Sequence, residues 1–252
     1  MERENVDVQA SEEVSYDSLL KNQTLLQNRE RENLRQISDI INDVKTRAGR
    51  VDLTILEVGF GDGRHLRQLT KIYSEAKFTG LEVREKQVED MVARGYDCRQ
   101  VKTELFDEFF EQGEKFDVIY GFSVIHHMSD PYKSMESLIG LLKPGGVIVF
   151  ICEHHKYDFL SHLYAIMKGN WVYEKNTLKM KRKQFKKLLM GYTDDYYVRY
   201  DNNPLAKCFE RFNSVYCKLK LNRIPLWNGL TILARVGTDD DSEFKKIVEE
   251  TI

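Results

Sequence analysis

The chain has 252 residues, a hydrophobic fraction of 42% and a formal net charge of -2. That length suits one α/β domain with some decoration, and the near-neutral balance gives no electrostatic footprint of a nucleic-acid binder. The four cysteines, Cys98, Cys152, Cys208 and Cys217, form no CxxC pair, so neither a zinc ribbon nor a disulfide framework is suggested. Residues 1–13 carry five carboxylates against one arginine and lack the basic-then-apolar order of a secretory leader. No run of about 18 apolar residues occurs. The expectation is a cytoplasmic protein without a membrane span.

In chain order, residues 16–47 read as a helix, with Leu34, Ile37, Ile41 and Val44 making one apolar stripe. Alternation of strand and helix follows. Leu53–Val58 reads as strand 1 and Arg64–Ser74 as its helix. Phe78–Val83 reads as strand 2, with a helix from Glu85 to Arg94, and Cys98–Val101 as a short strand 3. Phe116–Gly121 (FDVIYG) is strand 4 and Pro131–Leu142 its helix. Lys143-Pro144-Gly145-Gly146 places Pro and Gly at the centre of a type II turn before strand 5, Val147–Cys152. Beyond it lie helices at 158–167, 179–190 and 205–219 and strands at 195–200 and 230–236. The pattern predicts a doubly wound, mostly parallel α/β sheet with helices on both faces.

The segment Glu57-Val58-Gly59-Phe60-Gly61-Asp62-Gly63 runs from a strand through three alternate glycines into a helix. Glycines there permit tight turning and close backbone approach by a ligand, and helix-start amides favour an anionic or polar group. A dinucleotide site needs GxGxxG, but Arg64 occupies the place of its third glycine. That counts against a dehydrogenase, and no Walker A pattern is present. Glu57 is a carboxylate inside an apolar strand, unfavourable unless partnered. Glu82 ends strand 2, 19 residues after Gly63, where an acid can accept both hydroxyls of a ribose.

Together with FDVIYG and LKPGG, these residues resemble the class I methyltransferases that use S-adenosylmethionine (SAM) and release S-adenosylhomocysteine (SAH). The resemblance is strong over residues 50–153 and weak over 180–236. It implies a seven-stranded Rossmann-like sheet whose last strand is antiparallel, inserted between strands 5 and 6. It implies a cofactor loop of Glu57, Gly59, Phe60, Gly61 and Gly63, with Glu82 on the ribose, Val83 beside the adenine and Phe122 near the methionyl part. Many members carry an Asp after strand 3; here the stretch reads Val101-Lys102-Thr103-Glu104, and Thr103 or Glu104 takes its place. The implied organisation is a helical lid at 1–48, a SAM-binding core at 49–153, a cap at 154–178, the second half of the sheet with a helical insertion at 179–237 and an acidic tail at 238–252.

Two histidine pairs, His126–His127 and His154–His155, follow strands 4 and 5, where ligands bind in such sheets. Three readings stand: loop-capping residues, a general base, or metal ligands with Glu153 added. Adjacent histidines in a strand-like segment point apart, which counts against the metal, and no metal is assigned. Residues 125–131 are similar to those of small-molecule and lipid methyltransferases. His127 aligns with the histidine that phosphoethanolamine methyltransferases pair with an N-terminal tyrosine, here Tyr16.

The aromatic residues of 157–173 either line an acceptor pocket or pack the cap. Residues 175–187 hold seven basic residues and no acid. They form a solvated face, or a nucleic-acid or anionic-membrane contact. The reading is a SAM-dependent methyltransferase acting at oxygen or nitrogen of a small-molecule or lipid-like metabolite, with no nucleic-acid partner. An RNA-modifying methyltransferase and a SAM-binding subunit without activity of its own are the alternatives.

Overall fold

Short apolar runs become strands here because both of their faces are covered. The structure is a computed structural model and describes residues 23–101, 106, 113–156, 159–167, 169, 171–201 and 229–237. In strand β5 (Leu142–Glu153), Val147, Val149 and Ile151 join the core on one face and Ile148 and Phe150 the core on the other. All five are fully buried. Burial on both faces is what a parallel sheet between two helical layers requires.

The remaining strands are β1 (Thr54–Val58), β2 (Lys77–Glu82), β3 (Asp97–Gln100), β4 (Phe116–Phe122), β6 (Tyr196–Asp201) and β7 (Gly229–Arg235). They form one sheet in the order β3-β2-β1-β4-β5-β7-β6. The pairs from β3 to β5 are parallel, and β7 is antiparallel to both β5 and β6. The strand order reverses between β1 and β4. A crevice opens at the carboxyl ends of strands at such a reversal.

One face is covered by helices α1 (Gln23–Ala48), α2 (Arg64–Ile72) and α3 (Glu85–Ala93). Helix α1 buries Ile37, Ile40, Ile41 and Val44; Leu34, the first residue of the expected stripe, is only half-buried. Helix α2 contributes Leu66 and Leu69, and α3 contributes Val88 and Met91. The opposite face carries α4 (Pro131–Gly140) and, after the short helices α5 (Phe159–Met167) and α6 (Trp171–Glu174), helix α7 (Arg182–Leu189). Asp130 caps α4 by accepting from the Tyr132 and Lys133 amides, and Pro131 fills the first turn. Helix α7 buries Phe185 and Leu189 and leaves Lys183 and Lys187 exposed. The end of the basic run thus places Lys183 and Lys187 on the outer face of an amphipathic helix packed on the sheet.

Two expectations change. The helix after β4 ends at Gly140, and the Lys143–Gly146 segment lies inside a longer β5. Gly145 has the positive φ (77°) of the expected turn, but Leu142 already pairs with Phe116, so the turn is a bulge within the strand. The basic helix begins at Arg182, after a 3₁₀ segment at Lys175–Lys179. The expected helix at 205–219 and the segment around Tyr16 lie outside the described residues.

Buried charge locks the far end of the sheet. Asp117 accepts from Arg50 (2.5 Å), the Thr54 amide (2.7 Å) and Lys143 (2.9 Å), tying β1, β4 and β5 together. Burial opposes its ionisation, but these donors hold the carboxyl below its usual range. Arg235 and Asp195 form a buried ion pair at 2.5 Å between β7 and the entry to β6. Breaking such a pair from one side costs about 3–5 kcal/mol. No helix among the described residues is long and apolar enough to cross a membrane.

The spacing of β1 and β4 is set by a missing side chain. A Cβ at Gly121 would lie 2.8 Å from the Val58 carbonyl oxygen and 2.7 Å from the Phe150 ring. Gly121→Ala is expected to lower stability by about 1–3 kcal/mol through overpacking, read by urea unfolding. An unchanged midpoint would contradict this packing.

Candidate active site

The turn after β1 is stapled to the end of β2. The Gly59 and Phe60 amides both donate to the Leu81 carbonyl, at 2.8 and 3.2 Å. Gly59, Gly61 and Gly63 have φ of 68°, 60° and 71°, which only glycine adopts readily. At Gly59 a Cβ would collide with the Val124 side chain, and at Gly63 it would lie 2.5 Å from the Met91 sulfur. The loop is therefore wedged between the β4 exit and α3. Arg64, which stands where a dinucleotide loop has glycine, turns its guanidinium onto Asp62 at 2.7 Å.

Glu82 is buried at the tip of β2. Its carboxylate accepts from the amides of Gly61 (2.8 Å), Val83 (3.0 Å) and Arg84 (3.3 Å), and from Arg84 Nε (3.2 Å). The acid expected on a ribose thus also holds the glycine loop in place. Val83 is half exposed beside it. Phe60 turns its ring into the core against Gly80, and its amide is engaged by Leu81.

Glu57 is buried beneath the loop. Its Oε2 accepts from the Tyr120 hydroxyl at 2.8 Å, and His65 Nδ1 lies 4.0 Å from Oε1. Burial pushes the Glu57 carboxyl up to about 8, opposed by the Tyr120 hydroxyl. The same burial, with Glu57 beside it, raises the Tyr120 hydroxyl well above its usual range. Phe122 packs on His65, with ring centroids 4.4 Å apart. Glu57, Tyr120, His65 and Phe122 form one wall under the β1 exit.

The histidine pairs meet at the carboxyl ends of β4 and β5. The His126 ring lies 4.1 Å from that of His127 and 4.9 Å from that of His154, centroid to centroid. This corrects the expectation that the adjacent histidines point apart. Ile125–His127 is a 3₁₀ turn and not a strand, so consecutive side chains do not alternate. His126 Nδ1 lies 2.6 Å from buried Glu153, which also accepts from the Val124 amide at 2.8 Å and the His126 amide at 3.1 Å. Burial raises the Glu153 carboxyl above its usual range, while the amides of Val124, His126 and Ile125 pull it back. Ser123 (φ 54°) and Cys152 (φ 62°) are the non-glycine residues at positive φ among the described ones, and they turn β4 and β5 toward this cluster.

Of the residues picked from sequence, Glu57, Gly59, Phe60, Gly61, Gly63, Glu82, Val83 and Phe122 lie around the ends of β1, β2 and β4. His127 lies beyond β4. Thr103 and Tyr16 are outside the described residues. Sequence reasoning missed Tyr120, His65, Arg84 and Glu174. Arg84 had a signal, since residues two apart in an extended segment share a face. Tyr120 had none, because its place opposite Glu57 depends on the β1–β4 register.

A family model described as a methyltransferase domain matches residues 56–148, from β1 into β5. The chain is 24% identical over 127 residues to a ubiquinone biosynthesis O-methyltransferase of Coxiella burnetii, covering 47% of this chain and 50% of that one. It is 37% identical over 60 residues to the Cereibacter sphaeroides protein of that name, covering 24% of each. It thus spans about half the length, or less, of these relatives. The fold is similar to that of the plantazolicin methyltransferase BpumL, solved in complex with a monoazolic desmethylPZN analogue and SAH. The TM-score is 0.59 at 15% identity, covering 84% of this chain and 85% of that one. Residues 56–148 thus match a methyltransferase domain, and the seven-stranded sheet with its antiparallel last strand has the fold of methyltransferases solved with SAH.

Proposed function

We propose that this chain transfers the methyl group of SAM to an oxygen or nitrogen of a small-molecule or lipid-like acceptor. The observation that carries this reading is the Gly59–Gly63 turn, held by Glu82 at the Gly61 amide, at the reversal of strand order. We assign the methionyl end to Glu57, Phe122 and the backbone of Gly59, Gly61 and Gly63. We assign the ribose to Glu82 and the adenine side to Val83; Thr103 stays with them on the resemblance alone. The O-methyltransferase name of the curated relatives favours a small acceptor.

Bound SAM supplies a methyl already activated on a sulfonium, so transfer is an in-line displacement by the acceptor's lone pair. The chain's task is to place that lone pair about 3 Å from the carbon and to exclude water. The histidine lip is where we place the acceptor. His127 is our candidate for receiving the acceptor's proton, with Tyr16 as its partner by resemblance.

Three outcomes follow. Glu82→Gln should weaken SAH binding about 10- to 100-fold in calorimetry, the effect of losing hydrogen bonds to a charged group; an unchanged affinity contradicts the ribose assignment. His127→Ala should lower turnover about a hundredfold or more if the imidazole takes the proton, and an unaltered rate removes that role.

Glu57 gives a pH signature. Its folded value of about 8 lies above its ordinary 4.5, so the folded state holds an extra proton between those values. Its contribution to stability is full below that window and is lost as pH rises through it, by at most about 1.4 kcal/mol per unit. Glu57→Gln should flatten this slope in thermal unfolding. A slope equal to that of the parent chain would contradict the burial argument.

A further inference from the structure

Three side chains at the histidine lip converge from different elements. His126 and His127 belong to the 3₁₀ turn after β4, and Glu174 ends α6. One donor atom from each lies within 4.8 Å of the other two. His126 stands between two carboxylates. Glu153 lies 2.6 Å from Nδ1 and accepts from the Val124 and His126 amides. The other ring nitrogen, Nε2, faces the Glu174 carboxylate at 3.7 Å.

We infer that His126, His127 and Glu174 form a divalent transition-metal site, with Glu153 as the outer carboxylate that orients His126. A tetrahedral ion about 2.0–2.1 Å from each nitrogen or oxygen holds its donors about 3.4 Å apart, close to the 3.7 Å separation of Nε2 and Glu174. Two imidazoles and one carboxylate suit a borderline ion such as zinc, whereas magnesium and calcium favour all-oxygen sets. A carboxylate on the second nitrogen of a ligating histidine is the arrangement that fixes its tautomer and raises its basicity. Three protein donors leave one position open, and the Glu174 side chain is 25% exposed.

The role of the ion rests on the reading of this lip as the acceptor end. An acceptor hydroxyl in the open position is oriented and made more acidic. With the ion bound, acidification of the acceptor replaces the base role given above to His127, which becomes a ligand, so turnover falls on chelation as well as on loss of His127.

The test uses the full chain stripped with a chelator and titrated with Co²⁺, read by its visible absorption, with Zn²⁺ as competitor. One equivalent should bind with the intense bands of a low-coordinate site, and Zn²⁺ should displace it. Glu174→Gln should abolish or weaken binding at least tenfold, and Glu153→Gln should weaken it about 10- to 100-fold as an outer-carboxylate loss. SAH titration of each variant reports that the fold is intact. Absence of stoichiometric Co²⁺ binding, or equal affinity in Glu174→Gln, overturns the site. SAH binding without Co²⁺ binding removes the metal alone; Co²⁺ binding without SAH binding removes the methyl-transfer reading and keeps the metal.

Discussion

The rest of the site depends on how the chain leaves β1. Two consecutive amides, those of Gly59 and Phe60, converge on the Leu81 carbonyl, and the next available amide, Gly61, is taken by Glu82. Three donors from one turn thus end on the last two residues of the neighbouring strand. Buried amides must find acceptors, and these are supplied by β2 itself. The consequence is a loop whose shape is fixed by the sheet. Its glycines answer to that constraint, since Val124 and Met91 fill the space their side chains would need.

Two carboxylates near this turn are given different characters by their surroundings. Glu82 meets the amides of Gly61 and Val83 and the Arg84 guanidinium. Glu57, one strand away and fully buried, has the Tyr120 hydroxyl as its close donor, and burial dominates. A ligand with a neutral, hydroxyl-rich part and a cationic part fits this division. On the proposed assignment the hydroxyls would meet Glu82, and the cation would meet Glu57, an acid that ionises when a positive charge arrives.

Much of this was legible in the sequence because it is local. The glycine spacing, the apolar alternation of FDVIYG and of 147–152, and the Asp130-Pro131 helix start each announce their structure within a few residues. The antiparallel last strand came from the family resemblance and not from pattern. What escaped were features made by register and by chain turns. Tyr120 faces Glu57 only because β1 and β4 pair as they do. His126 and His127 share a side only because the backbone after β4 winds as a 3₁₀ turn instead of extending. Glu174 joins them from a short helix whose sequence gives no hint of its neighbours. The Lys143–Gly146 turn was recognised, but its inclusion in β5 depends on Phe116 finding Leu142.

The central claim is that the turn after β1 is built for SAM and not for a dinucleotide. The most direct measurement is calorimetric titration of the purified chain with SAH beside an identical titration with NAD. The account predicts micromolar binding of SAH and none of NAD. Binding of NAD, or of neither compound, would contradict it.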